Sequence, residues 1–452
     1  MILPQSLPAL KTFCRPLQSL TSVLLLSRLI AGFLEHLGRM SASQAAGAIR
    51  TAACHRGNVV RYLARLGVSR DWQLLEQVAA LLLEMESRRS GRWLFIVDQT
   101  YNGQSGAQTE NTFSRANYRP RAKHSQRRQK KAARRSCHGF VMGLLLTPSG
   151  YRIPSCRCYY SREYCRATGR TYRTQTEWAA ELIRQVPIPA GARAYVVGDT
   201  AFDAQCIRTA CAQRGFAWIV PLNPERVLAG PKPRPKVRSL LDRLQAKDFE
   251  AYQLQPGRGD GRQHRRLSRF RVGRKAKTRT FYVHGEQRDV HSVGVVSLVF
   301  STKETPQARA TVRVQKILMS NATALTAAEV VELYDRRWQI ELFFKELKST
   351  LGFGRYRFRS FAKVEAWAQV CLVSFVYLEW RRARALRRRQ LPPAQRRFWE
   401  SQRTYGGCQA VRQYAEAHDL SQLDDWLRTA TGRKKLRRAL RAARPPEYRV
   451  GA

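Results

Sequence analysis

Apolar and polar positions change texture three times along the 452 residues. Between 16 and 87, Leu and Ala recur every three or four positions with few turn residues between them, the spacing that lays one apolar stripe along a helix. From Trp93 the runs shorten. Trp93, Leu94, Phe95, Ile96 and Val97 form an unbroken apolar stretch closed by Asp98, as in a strand covered on both faces. Residues 140–147 and 151–160, separated by Pro148, Ser149 and Gly150, predict a hairpin. A helix over 176–186, a strand over 194–198 closed by Asp199, a helix over 204–213 and a strand over 216–221 follow. The predicted order is β-β-β-α-β-α-β. It argues for an α/β protein with Asp98 and Asp199 at the carboxyl ends of strands, where open α/β sheets place their sites.

After Asn223 the texture becomes alternating. Phe270, Val272, Phe281, Val283, Val295, Ser297 and Val299 mark strands, preceded by a Pro-rich basic cluster over 231–238. Helix returns at Thr326 and is expected to run unbroken through 332–351, with Leu333, Ile340, Phe344, Leu347 and Leu351 on one side. The last stretch reads as helical, with Arg-rich runs over 381–389 and 433–444. The longest uncharged apolar run, 366–378, lies between Glu365 and Glu379. It is shorter than the ~20 residues a bilayer needs, so it predicts a buried helix and no membrane partner. The same helix also offers a dimer surface, and packing on its own core is equally open. The expected units are a helical N-terminal region (1–90), a first core part (91–223), a mainly β insertion (224–322), a helix completing the core (323–360) and a helical Arg-rich C-terminal region (361–452).

Charge then narrows the function. Lys and Arg number 81 against 33 Asp and Glu, a net charge of +48, which calls for a polyanionic partner, nucleic acid first. Ten scattered Cys fit a reducing, cytoplasmic setting rather than a disulfide scaffold. Residues 43–50 and 58–66 read either as a helix-turn-helix, with Asn58 an N-cap and Arg61 and Arg65 facing DNA, or as a plain helical hairpin. The loop over 115–135, with Arg127 and Arg128 among its many cations, reads as a phosphate contact or a solvated charge run. Cys137, His138, Cys156, Cys158 and Cys165 do not match a common zinc spacing. Cys206 and Cys211 are expected to pack a helix, and Asp203 to cap the helix from 204.

With Tyr334 at zero on a helical wheel, Arg337 falls near 300°, Glu341 near 340°, Lys345 near 20° and Lys348 near 320°, beside the apolar stripe at roughly 220–280°. One carboxylate is ringed by cations suited to phosphate, although ordinary ion pairs four residues apart would look similar. At this point the chain resembles a known family. Tyr334, Arg337, Glu341 and Lys348 match the Y-(2)-R-(3)-E-(6)-K signature of bacterial insertion-sequence transposases of the DDE class, the "insertion sequence four" group. Asp98 and Asp199, in Val196-Val197-Gly198-Asp199, supply the other two acids in the right order.

The resemblance covers roughly 93–360 and agrees with the element order of an RNase H-like core. It implies a DNA transposase that binds the terminal repeats of its element, cuts at the ends and joins the 3′-hydroxyl to target DNA. Such chemistry uses two divalent cations, and Mg²⁺, with Mn²⁺ as substitute, suits an all-carboxylate set of Asp98, Asp199 and Glu341. Tyr334, Arg337 and Lys348 are implied to hold phosphates, with Lys345 on the same face. The resemblance further implies a homodimer in the DNA complex and a nucleoid-associated protein. Relatives stack a flipped base on a Trp of the β insertion while the end closes as a hairpin. This chain has no Trp between Trp218 and Trp338, leaving Phe270, Phe281, Tyr282 or Phe300 for that role. Two other readings stay open, a catalytically inactive DNA-binding repressor and an RNase H-like nuclease.

Overall fold

The computed structural model describes residues 10, 12–19, 21–35, 56–69, 72–104, 108–116, 134–254, 278–307, 312–387, 427–434 and 437. Three helices come first: α1 (Val23–Glu35), α2 (Arg56–Ser69) and α3 (Gln73–Leu83). Strands β1 (Trp93–Gly103), β2 (Phe113–Ala116), β3 (Arg134–Leu146) and β4 (Arg152–Tyr159) lead to α4 (Arg162–Thr168) and α5 (Gln175–Gln185). Then come β5 (Ala194–Val197), α6 (Gln205–Gln213), β6 (Ala217–Pro221) and the short α7 (Arg238–Leu241). Strands β7 (Glu250–Leu254), β8 (Arg279–Val290), β9 (Gly294–Thr302) and β10 (Lys316–Ser320) precede α8 (Ala327–Asp335), α9 (Trp338–Ser349) and α10 (Phe361–Arg387).

All ten strands belong to one sheet, in the order β2-β3-β1-β5-β6-β10-β9-β8-β7, with β4 also on β3. β5 runs parallel to β1 and β6 parallel to β5, and the other pairings are antiparallel. This bears out a mixed α/β protein and changes its layout. The β segment does not stand apart: Leu318 pairs with Pro221 and Met319 with Val220, so β10 covers the edge that β6 would expose. The base of the basic loop is also strand, with Arg115 opposite Arg135 in the β2–β3 pair.

Two boundaries differ from expectation in ways that matter for the site. β1 does not end at Asp98. Its pairing with β5 stops at Ile96 and Val197, while its pairing with β3 continues to Gly103, so the polar run Gln99–Asn102 is held by one neighbour alone. The long helix expected over 332–351 breaks between α8 and α9. There the Arg337 N–H bonds the Tyr334 carbonyl (2.9 Å) and the Ile340 N–H bonds that of Arg337 (3.1 Å), a spacing of three residues instead of four. Thr326 and Glu329 close a capping box that starts α8.

Helix α10 forms the spine of the core. It packs against α1, α2, α3 and β4; its Trp367 meets Phe33 of α1 and its Phe375 meets Phe343 of α9, both ring pairs at 4.8 Å. By length and composition α10 could cross a membrane, yet 89% of its apolar window is buried within the fold. Its apolar face is therefore used by the chain itself, and a dimer contact would need another surface. Gly67 of α2 lies so close to α10 that a Cβ there would sit 1.9 Å from the Ala362 carbonyl oxygen. Beneath the sheet, the buried Arg152 of β4 bonds Glu346 of α9 (3.0 Å) and Glu379 of α10 (2.7 Å), and Arg382 also reaches Glu379 (2.7 Å).

Candidate active site

Asp98 and Asp199 lie two residues past Ile96 and Val197, the last paired positions of the parallel strands β1 and β5. Because side chains alternate with period two, both leave the sheet on the same face, one strand apart. Asp98 is buried and accepts from its neighbour Gln99 N–H (2.7 Å). Asp199 starts a short 3₁₀ turn, its Oδ1 accepting from Ala201 N–H (2.9 Å). Glu341 sits in the first turn of α9, with its side chain 40% exposed.

Arg337, at the α8–α9 break, ties these parts together. Its Nη1 donates to Asp98 Oδ2 at 3.0 Å, and its Nη2 lies 3.6 Å from Glu341 Oε1. Burial works against the guanidinium charge, but Tyr334, Asp98, Glu341 and Asp199 together hold its pKa above the ordinary value. Asp98 feels the reverse pressure. Burial, with the charges of Asp199 and Glu341, outweighs the Gln99 N–H and Arg337 and pushes its carboxyl up to about 6. Burial likewise raises the Tyr334 phenol, with the Arg337 charge beside it working the other way. The negative charge gathered here thus exceeds what one arginine neutralises.

The remaining predicted residues divide. Lys348 Nζ donates to the Tyr101 carbonyl (3.0 Å), which pins the far end of α9 to β1. Lys345 lies on the exposed side of α9, one turn on from Glu341. Arg61 and Arg65 are exposed on α2, away from its packed face, and Asn58 does not cap that helix; it accepts from Arg61 (2.6 Å) inside the first turn. Residues 43–50, Arg127, Arg128 and Phe270 lie outside the described residues. Asp203 does not cap α6, whose N-cap is Ala204 without a side-chain bond. It pairs with Arg208 and with Arg226 (2.9 Å), because two guanidinium groups offer more than one amide would. His138 bonds Tyr356 Oη (3.0 Å) and the Glu110 carbonyl (2.9 Å), and Cys211 is buried.

Phe281 and Phe300 are buried, which leaves the half-buried Tyr282, its hydroxyl bonded to Thr305, as the accessible ring of these three. An exposed one stands elsewhere: Trp338, next to Arg337, is 59% exposed. The wheel that placed Glu341 puts Trp338 at about 40°, beside Lys345, so its exposure was readable from the spacing. Lys316, whose Nζ lies 4.5 Å from the Tyr334 ring centre, carried no comparable signal, since only the sheet brings β10 to α8.

Residues 90–376 match the family model described as a transposase DDE domain. The chain belongs to that family. No curated protein matches it. The matched stretch of this transposase contains Asp98, Asp199, Arg337 and Glu341, begins just before β1 and ends within α10, leaving α1 to α3 outside. DNA is the partner that such a domain implies.

In the donor chemistry of the site, three carboxylates and no His or Cys suit a hard divalent cation. The charges of Asp199 and Glu341, which add to burial in raising the Asp98 carboxyl, fit that assignment. Among the described residues, however, no three His, Cys, Asp or Glu side chains stand close enough to form a finished metal cluster. Between Asp98 and Glu341 it is the Arg337 guanidinium that supplies positive charge.

Proposed function

We propose that this transposase is encoded by an insertion sequence of the "insertion sequence four" group, binds its terminal inverted repeats, cleaves DNA at the element ends and transfers the 3′-hydroxyl to target DNA. One observation carries the reading. Arg337 bridges Asp98 and Glu341, so residues 239 positions apart in sequence meet in the order and spacing of the signature. The strand order β4-β3-β1-β5-β6, antiparallel on one side of β1 and parallel on the other, supports an RNase H-like core under this site.

Asp98, Asp199 and Glu341 would hold the divalent ions, Mg²⁺ or Mn²⁺, which activate the attacking hydroxyl and stabilise the leaving oxygen of a phosphodiester. The protein's own contribution is positional. Arg337 offers a planar pair of donors that suits a phosphate once DNA arrives, with the Tyr334 phenol beside it. Trp338 offers an exposed ring face for a base beside the scissile strand.

The test is incubation of the purified protein with supercoiled plasmid carrying the element's ends, in Mg²⁺ or Mn²⁺, next to Asp98→Ala. Cutting at the ends that disappears in the variant is expected. Binding with no cutting in either metal would overturn the catalytic reading in favour of a repressor.

A further inference from the structure

Around the break between α8 and α9, among the described residues, the arginines are paired with carboxylates and two lysines are not. Arg336 pairs with Glu332 (2.8 Å), Arg279 holds Asp335 with two bonds (2.8 and 2.6 Å), and Arg337 takes Asp98. Lys316 and Lys303 have no ion pair among the described residues; their ammonium groups face rings instead, Lys316 at 4.5 Å from Tyr334 and Lys303 at 5.5 Å from Phe281. The register puts both on one surface. Lys316 stands opposite Ser301, which stands opposite Val283. Two residues further along, Lys303 and Phe281 fall on the same face by the period of the strand. Both lysines are exposed, and their face adjoins the C-terminal end of α8, where Tyr334 leads to Arg337.

We propose that Lys316 and Lys303 carry the phosphodiester backbone of the DNA strand away from the Asp98–Glu341 centre, Lys316 taking the phosphate next to the one at Arg337. The inference rests on the reading of the site as DNA-cleaving and extends it along the β10–β9 surface. Two ammonium groups without carboxylates, one strand apart, offer a polyanion positive charge that no internal anion has already claimed. A tyrosine ring under the first keeps that cation beside the site without neutralising it. Partial desolvation and the charges of Arg337 and Lys303, only partly offset by Asp335, also hold the Lys316 pKa below the usual lysine range. An approaching phosphate relieves that pressure.

The experiment is lysine acetylation of the full-length protein, without divalent metal, in the presence and absence of a 30-base-pair duplex, read residue by residue by mass spectrometry. Lys316 and Lys303 should be protected severalfold, while Lys236, which is paired with Glu225, should change little. In parallel, Lys316→Gln combined with Lys303→Gln should lower the slope of log affinity against log salt by about two, near 0.9 per phosphate contact, and Lys→Arg replacements should keep it. If other lysines are protected while Lys316 acetylates equally with and without duplex, or if the slope does not move, this assignment is overturned and the site reading stands. If the unaltered protein neither binds the duplex nor shows any protected lysine, the site reading falls as well.

Discussion

Asp98 shows what burial costs a single carboxylate. Its carboxyl is pushed up to about 6 by burial and by Asp199 and Glu341. Because the folded-state value lies above the ordinary one, the charged form costs stability above that pH, and the cost vanishes below about 4, where the group is protonated in both states. A shift of roughly two units corresponds to on the order of 2 to 3 kcal/mol. Asp98→Asn should therefore melt a few degrees higher than the unaltered protein at pH 7.5, with the gain gone at pH 4, in thermal unfolding followed by circular dichroism. A variant that melts lower at pH 7.5 would mean that Arg337 more than repays the burial.

At the scale of elements, the placement of α9 is the decisive feature. Its first turn faces β1 through Arg337, and Lys348 fastens its far end to the Tyr101 carbonyl. Underneath, Glu346 of the same helix is fully buried against Arg152. Such a pair contributes little over an apolar replacement, but removing one partner strands the other charge. Glu346→Ala should thus cost about 3 to 5 kcal/mol in urea unfolding, since Arg152 loses one of the two carboxylates it pairs with, while a double replacement of Arg152 and Glu346 by apolar residues of similar volume should recover most of it. Equal losses in the single and double variants would show that the pair does not act as a unit.

For the whole molecule, a charge of +48 coexists with a set of buried carboxylates whose protonation decides acid stability. Burial pushes Glu379 up, but the charges and bonds of Arg152 and Arg382 leave it below its ordinary value. Glu86 is held low in the same direction, burial being outweighed by donors from Ser149, Thr147 and Arg88. Their folded values lie below the unfolded ones, so their stabilisation is present above the usual carboxylate range and is lost as pH falls through it. The protein should lose stability steeply below about pH 4.5, in the direction opposite to the Asp98 contribution. Glu379→Gln should flatten that acid limb, and an unchanged limb would place the sensitive groups elsewhere.

Most of the element order, though not β2 or α4, and the basic character of the chain were legible along the sequence, because apolar periodicity is a local property; Asp98, Asp199, Tyr334, Arg337, Glu341 and Lys348 were marked there as candidates by spacing and by the family resemblance. Trp338 was legible too, by the same wheel that exposed Lys345. Others were not: the merger of β10 with β6, the break that aims Arg337 at Asp98, the use of Asp203 by two arginines, and the arrival of Lys316 at Tyr334. Each of these depends on pairing between segments that are distant in sequence. Which edge a strand covers, and which cation finds which carboxylate, is decided by competition among all available partners in the folded chain, and no window of neighbouring residues contains that information.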